Sequence, residues 1–130
     1  MGVPLYQHEV RERVLGAYRS RCAICRLRHR ELLEAAHILP DTDERSLPVV
    51  PNGIALCKLH HAAFDSYILG IRPDLIVQIR ADVLHETDGP MLEWGLQGFD
   101  GHAIAAPKAA NLRPSAAFLA ERYERFRKVG

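Results

Sequence analysis

Apolar residues recur along this chain in short sets of differing period. Near the start, Val10, Val14 and Tyr18 stand four apart with Leu15 beside them, which predicts an amphipathic helix over Gln7–Arg19. Glu9 and Arg13 share a face of that helix at the spacing of an ion pair. Glu31 to Ile38 reads as a strand that stops at Pro40, and Asp41 to Pro51 as a polar, acidic loop broken by Pro48 and Pro51. Asn52-Gly53 is a turn signal, followed by a short strand at Ile54-Ala55-Leu56 and a helix from Lys58 to Tyr67. Ile68–Ile71 and Leu75–Ile79 form a hairpin pattern around Arg72-Pro73-Asp74. From Ala81 to Pro107, with glycines at 89, 95, 98 and 101, the expectation is short strands and turns. Pro114 suits the first turn of a helix over Ala116–Arg127, with Ala116, Leu119, Ala120, Tyr123 and Phe126 as its apolar stripe and Glu121–Arg125 and Glu124–Lys128 as pairs four apart. Trp94, Phe99 and Tyr123 are assigned to the core. The chain has no internal repeat, low-complexity stretch or linker, so one α+β domain over residues 1–130 is expected, with a core at about 14–80 and an extension at 81–130.

Composition narrows the class. At 48% hydrophobic and 25% charged residues, the 130-residue chain is not wholly disordered. No apolar run approaches the roughly 18 residues of a membrane span, and Met1 to Val10 lacks the apolar centre of a signal peptide. A cytoplasmic protein without membrane contact is therefore expected. The net charge of +1 is uninformative, but its distribution is not. Residues 1–30 hold seven Arg against two Glu, while the middle of the chain is acidic and residues 101–130 are again basic. Basic ends suit phosphate contact, and an acidic middle with histidines suits metal binding.

The cysteines are placed for a metal. Cys22-x2-Cys25 is followed by Cys57-x2-His60, and three cysteines cannot all pair within one chain. Two x2 pairs are the usual way of supplying the four soft ligands of tetrahedral zinc. His60 completes the set, with His29 and His61 as alternatives for the fourth place. The 31 residues between the pairs leave room for a strand, a loop and a second strand between the zinc halves. Inside and just after those halves lie His37, at the end of the first strand, Asn52, at the start of the second, and His61 and Asp65 on the helix. At 100° per residue, His61 and Asp65 share a helix face and His60 points elsewhere, so one helix can serve zinc on one side and a second cation on the other. A neutral imidazole can take a proton from water near pH 7, and a cation held by histidine and carboxylate can neutralise a phosphate. These residues thus suit phosphodiester hydrolysis, with Asn52 holding the loop that carries His37.

Ala36-His37-Ile38-Leu39-Pro40, Asn52-Gly53-Ile54-Ala55-Leu56-Cys57 and His60-His61-Ala62-Ala63-Phe64-Asp65 together resemble the HNH endonuclease motif, in its restriction-endonuclease branch. The motif's letters fall on His37, Asn52 and His61, with 14 and 8 residues intervening. The resemblance covers Val14 to Ile79 and implies a ββα-metal core: two antiparallel strands and a helix around one catalytic cation, with a structural zinc knuckle, flanked by the N-terminal helix, the hairpin and the C-terminal helix. It implies that His37 is the general base, that Asn52 orients its loop, that His61 binds Mg2+ or another divalent cation, and that Cys22, Cys25, Cys57 and His60 hold Zn2+. It is departed from at Ala36, where many members place a metal-binding Asp or His; Asp65, one turn after His61, is the replacement expected here.

The expected partner is DNA. Arg19, Arg21, Arg26, Arg28 and Arg30 crowd the zinc knuckle and are the expected phosphate contacts, with Arg113, Arg122, Arg125, Arg127 and Lys128 as a second basic set. Nothing resembles a base-reading motif, so little intrinsic sequence specificity is expected; the restriction-type resemblance implies a separate or fused domain for sequence or modification recognition, and a dimer stays open. Two other readings fit the same residues: a zinc-stabilised nucleic-acid-binding module that does not cut, and an HNH nuclease acting on RNA.

Overall fold

The computed structural model describes residues 3–40 and 50–129. The stretch expected as a loop therefore lies largely outside the described residues. Helix α1 (Val3–Ala17) buries Val14 and Leu15 completely and ends where Arg19 and Ser20 turn into left-handed backbone, with φ of 57° and 54°. The Ser20 amide donates to the Leu15 carbonyl at 2.7 Å, closing the last turn. Glu9 and Arg13 pair as expected, at 3.7 Å.

A knuckle at Cys22–Leu27 leads to strand β1 (Leu33–His37), which pairs antiparallel with β2 (Gly53–Cys57), His37 opposite Gly53 and Leu33 opposite Cys57. The strand begins two residues later than Glu31 because Arg30–Leu32 coil into a 3-10 turn. Helix α2 (Lys58–Asp65) follows β2 directly, and a hairpin of β3 (Leu69–Ile71) and β4 (Val77–Ile79) follows that. The two antiparallel strands and the helix are the arrangement the motif resemblance implies. Gly53 sits where β2 meets α1: a Cβ there would lie 2.7 Å from Val14 Cγ2.

The extension differs from expectation. Residues 81–107 contain two short helices, α3 (Ala81–Leu84) and α4 (Pro90–Gly95), rather than short strands; only an isolated bridge between Ile76 and Ala103 is strand-like there. Single-turn helices are too short to display a 3.6-residue period, though Pro90 at a helix start was a usable signal. Helix α5 (Ala116–Val129) forms, and Leu119 and Phe126 of its expected stripe are buried, but Arg122 is buried with them while Ala116 and Ala120 are exposed. Trp94, expected in the core, is 73% exposed on α4. Phe99 and Tyr123 are half-buried. The buried apolar cluster draws on α1, both hairpins, α2, α3 and Leu119 of α5.

Candidate metal centres and cleft

The knuckle, the end of β2 and the first turn of α2 bring Cys22, Cys25, Cys57 and His60 together, their ligand atoms all within 4.8 Å of one another. The separations are 3.9 Å for Cys25 Sγ to Cys57 Sγ, 3.6 Å for Cys22 Sγ to His60 Nδ1 and 3.3 Å for Cys57 Sγ to His60 Nδ1. A tetrahedron built on ordinary zinc–sulfur and zinc–nitrogen lengths has edges of about 3.8 Å and about 3.6 Å, so the set fits zinc. His60 is buried, and its Nε2–H donates to the Gly95 carbonyl of α4 at 2.7 Å, which leaves Nδ1 as the ligating nitrogen. Phe99 meets the His60 ring edge-on at 5.4 Å. The extension thus fixes the tautomer of His60 within a cluster that fits zinc, a contact that the sequence spacing does not reveal. His29 is exposed and His61 is engaged elsewhere, so neither alternative joins the set.

Without metal, hydrogen bonds from Cys25 and Cys57 pull the Cys22 thiol far down, and sharing with Cys22 and Cys57 pushes Cys25 up. Burial opposes charge on His60, but its bonds to Cys22, Cys57 and Gly95 outweigh that and push it up to about 10.

On the other side of α2, an open cleft of about 290 Å³ is lined by His37, Pro40, His61, Asp65, Tyr67 and Arg122. His37 is exposed at the end of β1. The chain after it is held by Asn52, itself buried: the Asn52 carbonyl accepts the Ile38 amide at 2.9 Å and its Oδ1 accepts the Leu39 amide at 3.0 Å. His61 Nδ1–H donates to Glu34 Oε1 at 2.6 Å. That bond leaves the Nε2 lone pair facing Asp65 Oδ2 at 3.1 Å. Two acceptors at that distance repel unless a proton or a cation lies between them. Ala36 is buried and offers no ligand. Glu34, two residues earlier on β1, was not identified from sequence, and Arg122 was expected only as a phosphate contact. Glu34 lies opposite Leu56, beside the start of α2, so a strand register was the signal that would have found it.

Arg19, Arg21, Arg26 and Arg28 are exposed around the knuckle. Arg30 differs: it donates to Ser20 Oγ at 2.8 Å and to Glu12 Oε1 at 2.6 Å, so its charge is already matched. Arg122, expected as a surface phosphate contact, is only 7% exposed. Arg127 pairs with Glu124 at 3.1 Å.

Residues 22–72 match the family described as HNH endonuclease. The matched segment holds both zinc halves, His37, Asn52, His61 and Asp65. The comparison with curated proteins gives no match. Among solved structures, the chain is similar to a modification-dependent TagI restriction endonuclease, with a TM-score of 0.60 and 18% identity, over 90% of this chain and 37% of that one. The chain therefore spans well under half the length of that enzyme, and at this identity the likeness is one of fold. No helix among the described residues is long and apolar enough to cross a membrane.

Proposed function

We propose that the HNH endonuclease domain carried by this chain hydrolyses DNA phosphodiester bonds as the cutting unit of a restriction-type system. The observation that carries this reading is the convergence of His37, His61 and Asp65 on one open cleft, within a segment matching that family. His37 acts as general base: the oxygen of a water attacks phosphorus, its proton passes to the imidazole, and the bond to the leaving sugar oxygen breaks. His61 and Asp65 hold a divalent cation, Mg2+ or a transition ion, and Glu34 fixes His61 in the ligating tautomer. When bound, that cation supplies charge neutralisation at the phosphate and stabilisation of the leaving oxygen. With only two protein ligands, the site leaves coordination places for water and phosphate oxygens. Asn52 keeps the backbone after His37 in place.

Zn2+ bound by Cys22, Cys25, Cys57 and His60 is structural, since all four donors come from protein and no place is left for substrate. Reduced thiols able to bind zinc fit a cytoplasmic setting. Exposed Arg19, Arg21, Arg26 and Arg28 contact backbone phosphates, Arg30 contributing less because Glu12 engages it. The similarity to a modification-dependent enzyme supports a substrate whose marking is read by a separate or fused domain. Digestion of methylated and unmethylated plasmid, single-stranded DNA and total RNA across Mg2+, Mn2+, Co2+ and Ni2+ tests the reading. Nicking of duplex DNA is expected with at least one cation. Duplex binding without cleavage under every cation would favour a binding module instead, and cleavage confined to RNA would move the substrate.

A further inference from the structure

Arg122 reaches the cleft from α5, fifty residues after the matched segment ends. Its burial is expensive for a charged group, and an apolar side chain of similar volume would fill the place at lower cost. What an apolar side chain could not do is donate. Arg122 Nη1 donates to the Ile38 carbonyl at 2.9 Å and Nη2 donates to the Phe64 carbonyl at 2.8 Å. The guanidinium lies 3.9 Å over the Phe64 ring, 5.0 Å from the Tyr67 ring, and has Asp65 Oδ1 3.8 Å from Nη2. Its two carbonyl partners are informative. Ile38 directly follows His37, and Phe64 directly precedes Asp65. One planar fork thus ties the backbone beside the base to the backbone beside the cation-binding carboxylate, across the cleft that all three residues line.

We infer that Arg122 is a positioning residue for the cleavage reaction, setting the distance between His37 and the His61–Asp65 pair by bridging the two chain segments that carry them. The inference rests on the nuclease reading of the same cleft. It also makes α5 part of the active unit, where the basic composition of that helix suggested only a phosphate-binding surface.

The test uses the full chain loaded with zinc, with Arg122→Met and Arg122→Lys compared with wild type. Misplacing a catalytic group by about 1 Å costs on the order of 100-fold, so Arg122→Met is expected to lower kcat by about that factor with KM for duplex little changed. Arg122→Lys is not expected to restore kcat, because an ammonium cannot span two carbonyls as the guanidinium fork does. The His37 ring resonances of the zinc-loaded, cation-free protein are expected to shift in both variants. Rescue by lysine, or a raised KM with a salt slope smaller by about 1, would make Arg122 a phosphate contact and overturn the inference. Unmoved His37 resonances would overturn it too. Should Arg122→Met fail to fold, Phe64→Leu removes the ring beneath the guanidinium while keeping both carbonyls; a smaller fall in kcat at constant KM is expected, and wild-type kcat would count against the bridge. A wild-type chain that cuts no nucleic acid would defeat the nuclease reading instead, and the His37 resonances would then decide whether Arg122 holds the cleft.

Discussion

Two adjacent histidines face different groups because consecutive helical residues point about 100° apart. His60 Nδ1 faces three thiols, and His61 faces two carboxylates. In the metal-free protein His60 is pushed up to about 10, so it carries a proton at neutral pH that the proposed zinc would have to displace. Zinc titration is therefore expected to release protons, and the apparent affinity to fall as the pH is lowered, since the proton competes better there. Binding with no proton release in a weakly buffered titration would contradict the ligand set. Cys22→Ser should lose zinc and unfold the domain, because binding energy of roughly 10–16 kcal/mol at such sites is folding energy; a stable, zinc-free variant would say otherwise. Asn52→Ala removes the acceptor of the buried Leu39 amide and should lower stability by about 1–3 kcal/mol in a denaturant titration. The motif residues were legible in the sequence because each is tied to a neighbour at fixed spacing. Glu34, and the inward position of Arg122, were not, because what defines them is a partner 27 and 58 residues away.

At the scale of elements, the hydrophobic periods identified both helices that frame the chain and the four strands among the described residues, with boundary shifts of a few residues. They misread α5 in an instructive way. Counting apolar residues put Ala120 in the stripe, whereas the helix turns Arg122 inward, since an arginine with two carbonyls and an aromatic face to meet can be buried. The docking of α5 on β3 depends on Gly70, where a Cβ would lie 2.7 Å from the Phe126 ring. Gly70→Ala is expected to cost about 1–3 kcal/mol through overpacking, and to reduce cleavage if it tilts α5. An unchanged melting midpoint would mean that Phe126 yields without cost. The short helices α3 and α4 were invisible to periodicity, yet α4 supplies the carbonyl that orients His60.

For the whole molecule, the uneven charge along the chain is resolved by the fold. Arg19, Arg21, Arg26 and Arg28 of the first basic stretch remain exposed around the knuckle, whereas Arg11, Arg13 and Arg30 are paired with glutamates, and His37, His61 and Asp65 of the middle line the cleft. Duplex binding should weaken with salt, and replacing Arg26 and Arg28 by Gln should lower the slope of log affinity against log salt by about 1 for each phosphate no longer neutralised. An unchanged slope would place the DNA on another face. The proposed role of the cleft turns on His37. The most direct measurement is the rate of plasmid nicking by zinc-loaded His37→Ala against wild type, in the cation that supports wild-type cleavage, with zinc content and duplex affinity checked alongside. A fall of about 10²–10⁴-fold at equal zinc content and affinity is expected of a lost general base; nicking at the wild-type rate would remove His37 from the chemistry and the cleft from its role.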